Sequence, residues 1–562
     1  MKKMPYGISN YEKIIENNYY YVDKTMYIEK LENMAETSIM FLRPRKFGKT
    51  LFTSTLEYYY DIKAKDKFEK LYGETYIGKN PTALKNSYHI LRFNFSGIDT
   101  STVETTINGF KESTTTSIYE FIHRYSLDFI VNENQTPEGM LNSLFEAFKF
   151  QKQDEKIYVI IDEYDHFANE LLGFHTEQFK ELVSKNGKVR KWYEILKKGT
   201  ETVVDRIFIT GVAPITLDSL TSGFNICSDK TRNELLNEML GFTKEELIKL
   251  MDAQGISKET QEKILPILKD NYDGYKFNTL GKEKMYNSNM CLYFLNDYIQ
   301  LGHFPERLMD MNIASDYSKL SKMLELCKGD RKKEILEKTV SGEGIVTEII
   351  AKFNPASDFQ DAEFVSMLFY LGYLTIIDGE IDFTRLGIPN KVMKELYTQY
   401  FLKIIKEEAN FEESINYVEI TRETALEGKI DKIVETVEKY MNNLSNRDYQ
   451  RFDEKYVKLI FYCIVMNLKL YSVKSEPEFN RKYPDILMVP QDTSKGYNAI
   501  MVEFKYLKAG EENKVKEMQE IAKKQIEEYS EFEDIKNIQK LNKYTIVAIN
   551  DKLYVEKIKT KN

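Results

Sequence analysis

Short runs of β-branched and aromatic residues recur through the first half of the chain, at Ser38–Leu42, His89–Phe95, Lys156–Asp162 and Arg206–Val212. Between them lie longer amphipathic stretches such as Thr50–Tyr60 and Gly139–Phe150, whose apolar positions repeat at helical spacing. Alternation of this kind predicts a parallel α/β sheet with helices on both faces. From about Gly241 to about residue 450 the pattern turns helical. The segment GFTKEELIKLMDAQ offers Thr243 as an N-cap ahead of an acidic first turn. Further on, DFQDAEFVSMLFYLGYLTIIDGEIDFTRLGIPN predicts a helix and then a hairpin turning at Asp378-Gly379, a winged-helix-like unit. The last portion predicts a small α/β domain. It has a helix over Lys455–Leu470 and strands at Ile486–Val489 and Ala499–Lys505, separated by the loop QDTSKGYN. A charged helix over Glu511–Tyr529 and a final strand at Tyr544–Ile549 complete it.

At 562 residues the chain is too long for one hydrophobic core. The changes of pattern divide it at 1–240, 241–410 and 411–562, giving an α/β multidomain protein with a helical middle. Hydrophobic residues at 42% and charged residues at 30% exclude wholesale disorder. A formal charge of −9 removes any global attraction to nucleic acid, so such binding would need a local patch of Lys and Arg. Cys227, Cys291, Cys327 and Cys463 are far apart without metal-ligand spacing, and read as buried free thiols in a reducing compartment. The N-terminus lacks an apolar h-region, and nowhere do about eighteen apolar residues follow one another. A cytoplasmic protein with no membrane partner is expected.

The most informative segment of the first half is SIMFLRPRKFGKTLFTSTLEYYY. An apolar strand ends at Leu42, and Arg43, Pro44, Arg45, Lys46, Phe47, Gly48, Lys49 and Thr50 lead into a helix. The spacing is that of the phosphate-binding loop G-x-x-x-x-G-K-[ST], with Arg43 in place of the first glycine. Gly48 would let the backbone approach phosphate, Lys49 would reach the terminal phosphates of ATP, and the Thr50 hydroxyl would bind Mg²⁺. Arginine lacks the conformational freedom of glycine, so the loop entrance must differ from the usual one. A second signal is IYVIIDEYDHF, where a buried strand delivers Asp162 and Glu163 at its carboxyl end, the ligand edge of an open α/β sheet. Asp162 would hold Mg²⁺ through water or through Thr50, and Glu163 would polarise the attacking water. Thr210, near the end of RIFITGVAP, could contact the γ-phosphate or serve the sheet.

Near the C-terminus, Asp485 heads a strand after Pro484, and IMVEFKYLK supplies Glu503 and Lys505. Residues i and i+2 of a strand share a face, so Glu503 and Lys505 project together while Phe504 points the other way. If the two strands pair, Asp485 approaches Glu503 at the hairpin's open end. Two carboxylates there could hold Mg²⁺, with Lys505 orienting water and steadying phosphate charge. Arg481, Lys482 and Lys508 could supply phosphate contacts or be ordinary surface charge.

The first half resembles a prokaryotic AAA-ATPase-like family that carries a fused PD-(D/E)XK nuclease domain. The matching features are PYGISNYEKIIENNYYYVDKT, RPRKFGKT, IIDEYD, FITGVAPITLDSLTSGFNI, GFTKEE, and NYDGYKF with YNS after it. RPR before FGKT is characteristic of that family. The resemblance implies a P-loop NTPase fold with ATP binding and hydrolysis. Asp485, Glu503 and Lys505 resemble the D, E and K of the PD-(D/E)XK superfamily, a restriction-endonuclease-like fold. Glu476 matches an additional acidic position that would join the metal site. Gln525 and Tyr529 resemble the Q-x-x-x-Y element of its exonuclease-like branch. There Gln525 would support the metal or phosphate shell and Tyr529 its packing. ATP, Mg²⁺ and nucleic acid, DNA ahead of RNA, are the implied ligands, and a homo-oligomer is compatible. The rival is a nucleotide-gated signalling switch whose C-terminal domain binds nucleic acid or protein without cleaving.

Overall fold

The computed structural model describes residues 2–165, 188–214, 226–305, 308, 320, 331–351, 361–380, 383–408, 414–443, 454–475, 484–492 and 495–558. Glu476, Arg481, Lys482 and Cys327 lie outside the described residues. The chain forms two compact units, Met1–Lys332 with Gly344–Val392, and Lys333–Glu343 with Met393–Asn562. The helical middle, as far as Val392 and apart from Lys333–Glu343, therefore belongs to the first unit, and the main span of the second begins at Met393.

The first unit is built on a five-stranded sheet in the order β2-β3-β4-β1-β5. Its strands are β1 (Ser38–Leu42), β2 (Tyr88–Asn94), β3 (Lys156–Asp162), β4 (Val204–Gly211) and β5 (Ser228–Asp229), and every pairing is parallel. In β3 every residue after Lys156 is buried, which is why it reads as an unbroken apolar run. Helix α1 (Lys49–Tyr60) covers one face, where Phe52 meets Phe208 of β4. Helices α2 (Val103–Tyr125), α3 (Pro137–Gln151) and α4 (Lys188–Thr200) follow; Trp192 of α4 packs edge-on against Phe93 on the other face. β5 pairs only at Ile39 and Met40, too short a strand to leave a periodic signal.

Beyond the sheet, α5 (Lys244–Ala253) opens with the predicted cap: Thr243 and Glu246 exchange side-chain and backbone hydrogen bonds as a capping box. Next come α6 (Lys258–Tyr272), α7 (Ser288–Leu301) and α8 (Asp361–Tyr370). A small sheet, β6-β8-β7, combines β6 (Ile345–Thr347), β7 (Thr375–Glu380) and β8 (Phe383–Gly387). The expected turn at Asp378-Gly379 is corrected here. Both residues are inside β7, opposite Arg385 and Thr384, and Glu380 still pairs with Phe383. A register shift between Ile376 and Asp378 carries the strand past that point.

The second unit centres on a mixed sheet, β13-β12-β11-β10-β9. Its strands are β9 (Tyr471–Ser475), β10 (Ile486–Pro490), β11 (Ala499–Leu507), β12 (Leu541–Ile549) and β13 (Lys552–Ile558). Helices α9 (Lys391–Glu408), α10 (Asp431–Asn443) and α11 (Glu454–Met466) precede or flank it; α12 (Val515–Ser530) links β11 to the parallel β12. Leu487, Met501, Ile526 and Tyr529 form the core beneath α12. On the opposite face Phe461 of α11 meets Phe504 at 5.2 Å.

Candidate active sites

In the first unit the chain leaves β1 at Leu42 and turns into α1 at Gly48, whose φ of 91° is left-handed. A side chain there would cost about 1 kcal/mol. Lys46 accepts the same region with φ 70°. The loop is gripped by the helical middle. Gly241 N–H donates to Phe47 O at 3.1 Å, and Ser288 Oγ and Asn289 N–H donate to Lys46 O at 3.1 and 3.2 Å. The Phe47 ring lies edge-on to Tyr275 and Phe277, with centroids at 5.0 and 5.5 Å. GFTKEE, NYDGYKF and YNS thus converge on one loop.

Arg43 is 1% exposed. Its Nη1 donates to the carbonyls of Leu42 (2.9 Å) and Thr231 (2.7 Å), and its Nη2 to those of Leu236 (3.2 Å) and Asn237 (3.3 Å). The guanidinium sits about equally close to the Phe41 and Phe277 rings, at 4.1 and 4.0 Å. Burial pushes it down to about 9. Both terminal nitrogens of this side chain therefore serve backbone carbonyls. Pro44 also faces elsewhere, against Gly372, where an added Cβ would come within 2.7 Å of the proline ring.

Arg45, Lys46, Phe47, Gly48, Lys49, Thr50 and Glu163 line a cavity of about 410 Å³. The apolar part of its wall includes Pro5, Ile8, Tyr20, Leu240, Phe242 and Leu292, and Ser9, Lys24, Ser288 and Asn289 add polar groups. Lys49 donates to the Arg43 and Pro44 carbonyls at 3.0 and 3.1 Å. Burial lowers its pKa, opposed by Glu163, Asp165 and Asp162.

Asp162 is fully buried. Its Oδ2 receives Arg92 Nη2 at 3.3 Å and Thr53 Oγ1 at 3.4 Å, while Oδ1 is buried with no hydrogen-bond partner among the described residues. Burial raises its pKa; Arg92, Lys49 and the nearby Thr50 hydroxyl oppose the rise. A buried acceptor left open beside a threonine hydroxyl suits a hard cation such as Mg²⁺. Glu163, next along, holds a left-handed φ of 51°, which turns the chain at the strand's end. Thr210 donates its hydroxyl to Phe41 O at 3.0 Å and is 1% exposed, a contact within the sheet. Asp165 accepts the Val212 and Ala213 N–H groups and fixes the chain after β4.

In the second unit β10 and β11 pair antiparallel, Ile486 opposite Val502, which sets Asp485 beside Glu503. The Asp485 N–H donates to Glu503 Oε2 at 3.4 Å, and the Phe504 N–H to Asp485 Oδ2 at 2.7 Å. Lys505 Nζ bridges Glu503 Oε1 (3.1 Å) and Phe504 O (2.8 Å). Glu503 is 3% exposed; burial, then the Asp485 charge, push it up to about 7 against the pull of Lys505. Gln525 and Tyr529 come from α12. Burial, then Glu503 and Asp485, raise the Tyr529 phenol to about 12, with Gln525 hydrogen-bonding to it. The Gln525 Oε1 is buried with no partner among the described residues, a second open acceptor beside acidic groups. The described residues contain no group of three or more His, Cys, Asp or Glu that could hold a metal. A two-carboxylate centre suits Mg²⁺, which keeps several waters of its own.

Two family models match. The AAA-ATPase-like family, described as "Predicted AAA-ATPase", covers residues 5–221, and the PD-(D/E)XK nuclease superfamily covers residues 452–558. The chain joins an AAA-ATPase-like domain to a PD-(D/E)XK nuclease domain. It is also similar, at 25% identity over 254 residues, to an uncharacterized protein in the vnfD 5′ region of Azotobacter chroococcum mcd 1, a match spanning 43% of each chain.

In the AAA-ATPase-like domain, sequence reasoning missed the apolar wall of this cavity. Its members are scattered apolar residues with no spacing of their own, although PYGIS and GFTKEE were both in view. In the PD-(D/E)XK domain it missed Lys458 of α11, whose Nζ lies 2.7 Å from Asp485 Oδ1. It also missed how close Tyr529 comes to the acids. No described helix is long and apolar enough to cross a membrane.

Proposed function

We propose that the chain hydrolyses ATP at the loop around Lys49 and cleaves nucleic-acid phosphodiesters, DNA ahead of RNA, at Asp485, Glu503 and Lys505. The supporting observation is the convergence at the head of β10: the Asp485 N–H donates to Glu503 Oε2, and Lys505 lies against Glu503 at 3.1 Å. Two acids and a lysine on one face, one acid with a raised pKa, is a phosphodiester-hydrolysing constellation.

At the first site Lys49 leaves the Arg43 and Pro44 carbonyls for the phosphate oxygens, while the amides at the start of α1 face the same anion. Glu163 orients the attacking water in line with the terminal phosphate. At the second, Lys505 holds and polarises the hydrolytic water, and Gln525 supports it from α12. Mg²⁺, held by Thr50 and Asp162 in one site and by Asp485 and Glu503 in the other, supplies Lewis-acid polarisation of the phosphate oxygens.

The test is incubation of the purified chain with labelled DNA and RNA, with and without ATP and Mg²⁺. Lys49→Ala abolishes ATP turnover; Asp485→Ala leaves turnover intact and removes cutting. Normal turnover in Lys49→Ala refutes the first assignment, and undiminished cutting in Asp485→Ala refutes the second. Mg²⁺-independent retention of DNA without cleavage would favour a binding module.

A further inference from the structure

Lys458 belongs to no motif and lies 27 residues before Asp485. Its helix packs on the sheet face away from Glu503, through Phe461 and Phe504. Even so, its ammonium reaches the head of β10 and sits 2.7 Å from Asp485 Oδ1. The other oxygen, Oδ2, already receives the Phe504 amide at 2.7 Å. Each acid of the centre is therefore matched by its own lysine, Asp485 by Lys458 and Glu503 by Lys505.

A divalent cation held by Asp485 would meet one oxygen already bonded to the backbone and the other, Oδ1, already facing Lys458. The ammonium and the cation repel across this short gap. Lys458 is a point charge on a flexible four-carbon stem, able to change acceptors without a fixed geometry. Its side chain is 14% exposed.

We propose that Lys458 is an exchangeable counter-ion of the nuclease centre. It neutralises Asp485 until a divalent cation takes Oδ1, and then moves its ammonium to a non-bridging oxygen of the DNA phosphodiester. This rests on the nuclease reading above, and deepens it by naming a phosphate-holding residue that the D, E and K positions do not contain.

The test uses the full chain and two binding measurements, neither of which needs turnover. Mn²⁺ binding is followed by calorimetry, with Asp485→Asn identifying the part of the isotherm that belongs to this centre. Binding of a labelled DNA duplex is followed against salt concentration. Lys458→Met tightens Mn²⁺ binding roughly tenfold, because a competing positive charge has gone. It also lowers the slope of log affinity against log salt by about 0.9, the loss of one phosphate contact. Both changes are required, and either alone overturns the proposal. Lys458→Arg keeps charge and bulk should the methionine variant fold poorly. It retains the wild-type salt slope and binds Mn²⁺ no more tightly than wild type; a lowered slope or tighter Mn²⁺ binding in this variant overturns the proposal. If wild type has no Mn²⁺ component that Asp485→Asn removes, the nuclease reading itself falls. If that component is present and Lys458→Met leaves it unchanged or weaker, only the role of Lys458 falls.

Discussion

Arg43 brings a permanent charge into the interior and distributes it over four carbonyl oxygens, from Leu42, Thr231, Leu236 and Asn237. Removing the side chain leaves those acceptors short of donors in a space closed to water, so Arg43→Ala should cost about 3 kcal/mol or more in urea unfolding. Arg43→Gly, which restores the usual loop consensus, should be no more stable than Arg43→Ala. A glycine variant at wild-type stability would show that the arginine's structural part is slight. His89 gives a pH signature. It is buried, and burial depresses its pKa below the ordinary 6.5, outweighing the nearby Glu155 carboxylate. Above pH 6.5 both folded and unfolded chains hold it neutral. As pH falls past 6.5 the unfolded chain takes the proton first, and stability is lost until the folded pKa is passed. Thermal melts from pH 7.5 to 5 should therefore slope less steeply for His89→Phe than for wild type; parallel curves would remove His89 from the titration.

At the scale of elements, the Arg43–Thr50 loop is held by segments that follow it by about two hundred residues. Gly241 is one of these contacts. At φ +85° an added Cβ would come within 3.0 Å of both Phe47 Cδ1 and Tyr286 O. Gly241→Ala should push the loop aside and weaken a fluorescent ATP analogue about tenfold, roughly 1.4 kcal/mol. Gly97→Ala is the control, since Gly97 has φ +78° and nothing within 4 Å of an added Cβ. Equal losses in the two variants would mean that backbone strain, not the Phe47 contact, is responsible. The same elements show what a sequence discloses. Strands β1 and β3 were legible because apolar runs stop abruptly at chemistry, Leu42 before the loop and Ile161 before Asp162. Asp485, Glu503 and Lys505 were legible because strand pairing alone brings them together. Asp378-Gly379 misled because a local turn preference lost to strand pairing that continues to Glu380. Arg43 was read by motif position, while its side chain answers to carbonyls near residue 235. Lys458 left no trace, since nothing local marks a helix residue that reaches round the head of a strand.

At the scale of the whole molecule, the sequence pattern and the packing divide the chain differently. A boundary at residue 411 follows the change in pattern, yet the second compact unit begins at Met393 and also contains Lys333–Glu343. The reason is the apolar face of α9. Tyr397, Tyr400, Phe401 and Ile405 are buried, Phe401 meets the Tyr456 ring at 6.4 Å, and Lys394 lies over Tyr462 at 4.5 Å. A fragment of residues 411–562 keeps the PD-(D/E)XK sheet but strips this cover from α11, the helix that carries Lys458. Two or more large side chains uncovered correspond to about 3 kcal/mol or more. The fragment 393–562 should therefore melt several degrees above 411–562 and protect the α11 amides from hydrogen exchange for longer. Both fragments lack Leu336 and Val340, buried residues of the inserted segment, so both should melt below the second unit of the intact chain. Should 411–562 match 393–562 in melting temperature and in α11 protection, α9 contributes nothing to this unit and the boundary belongs where the sequence pattern changes.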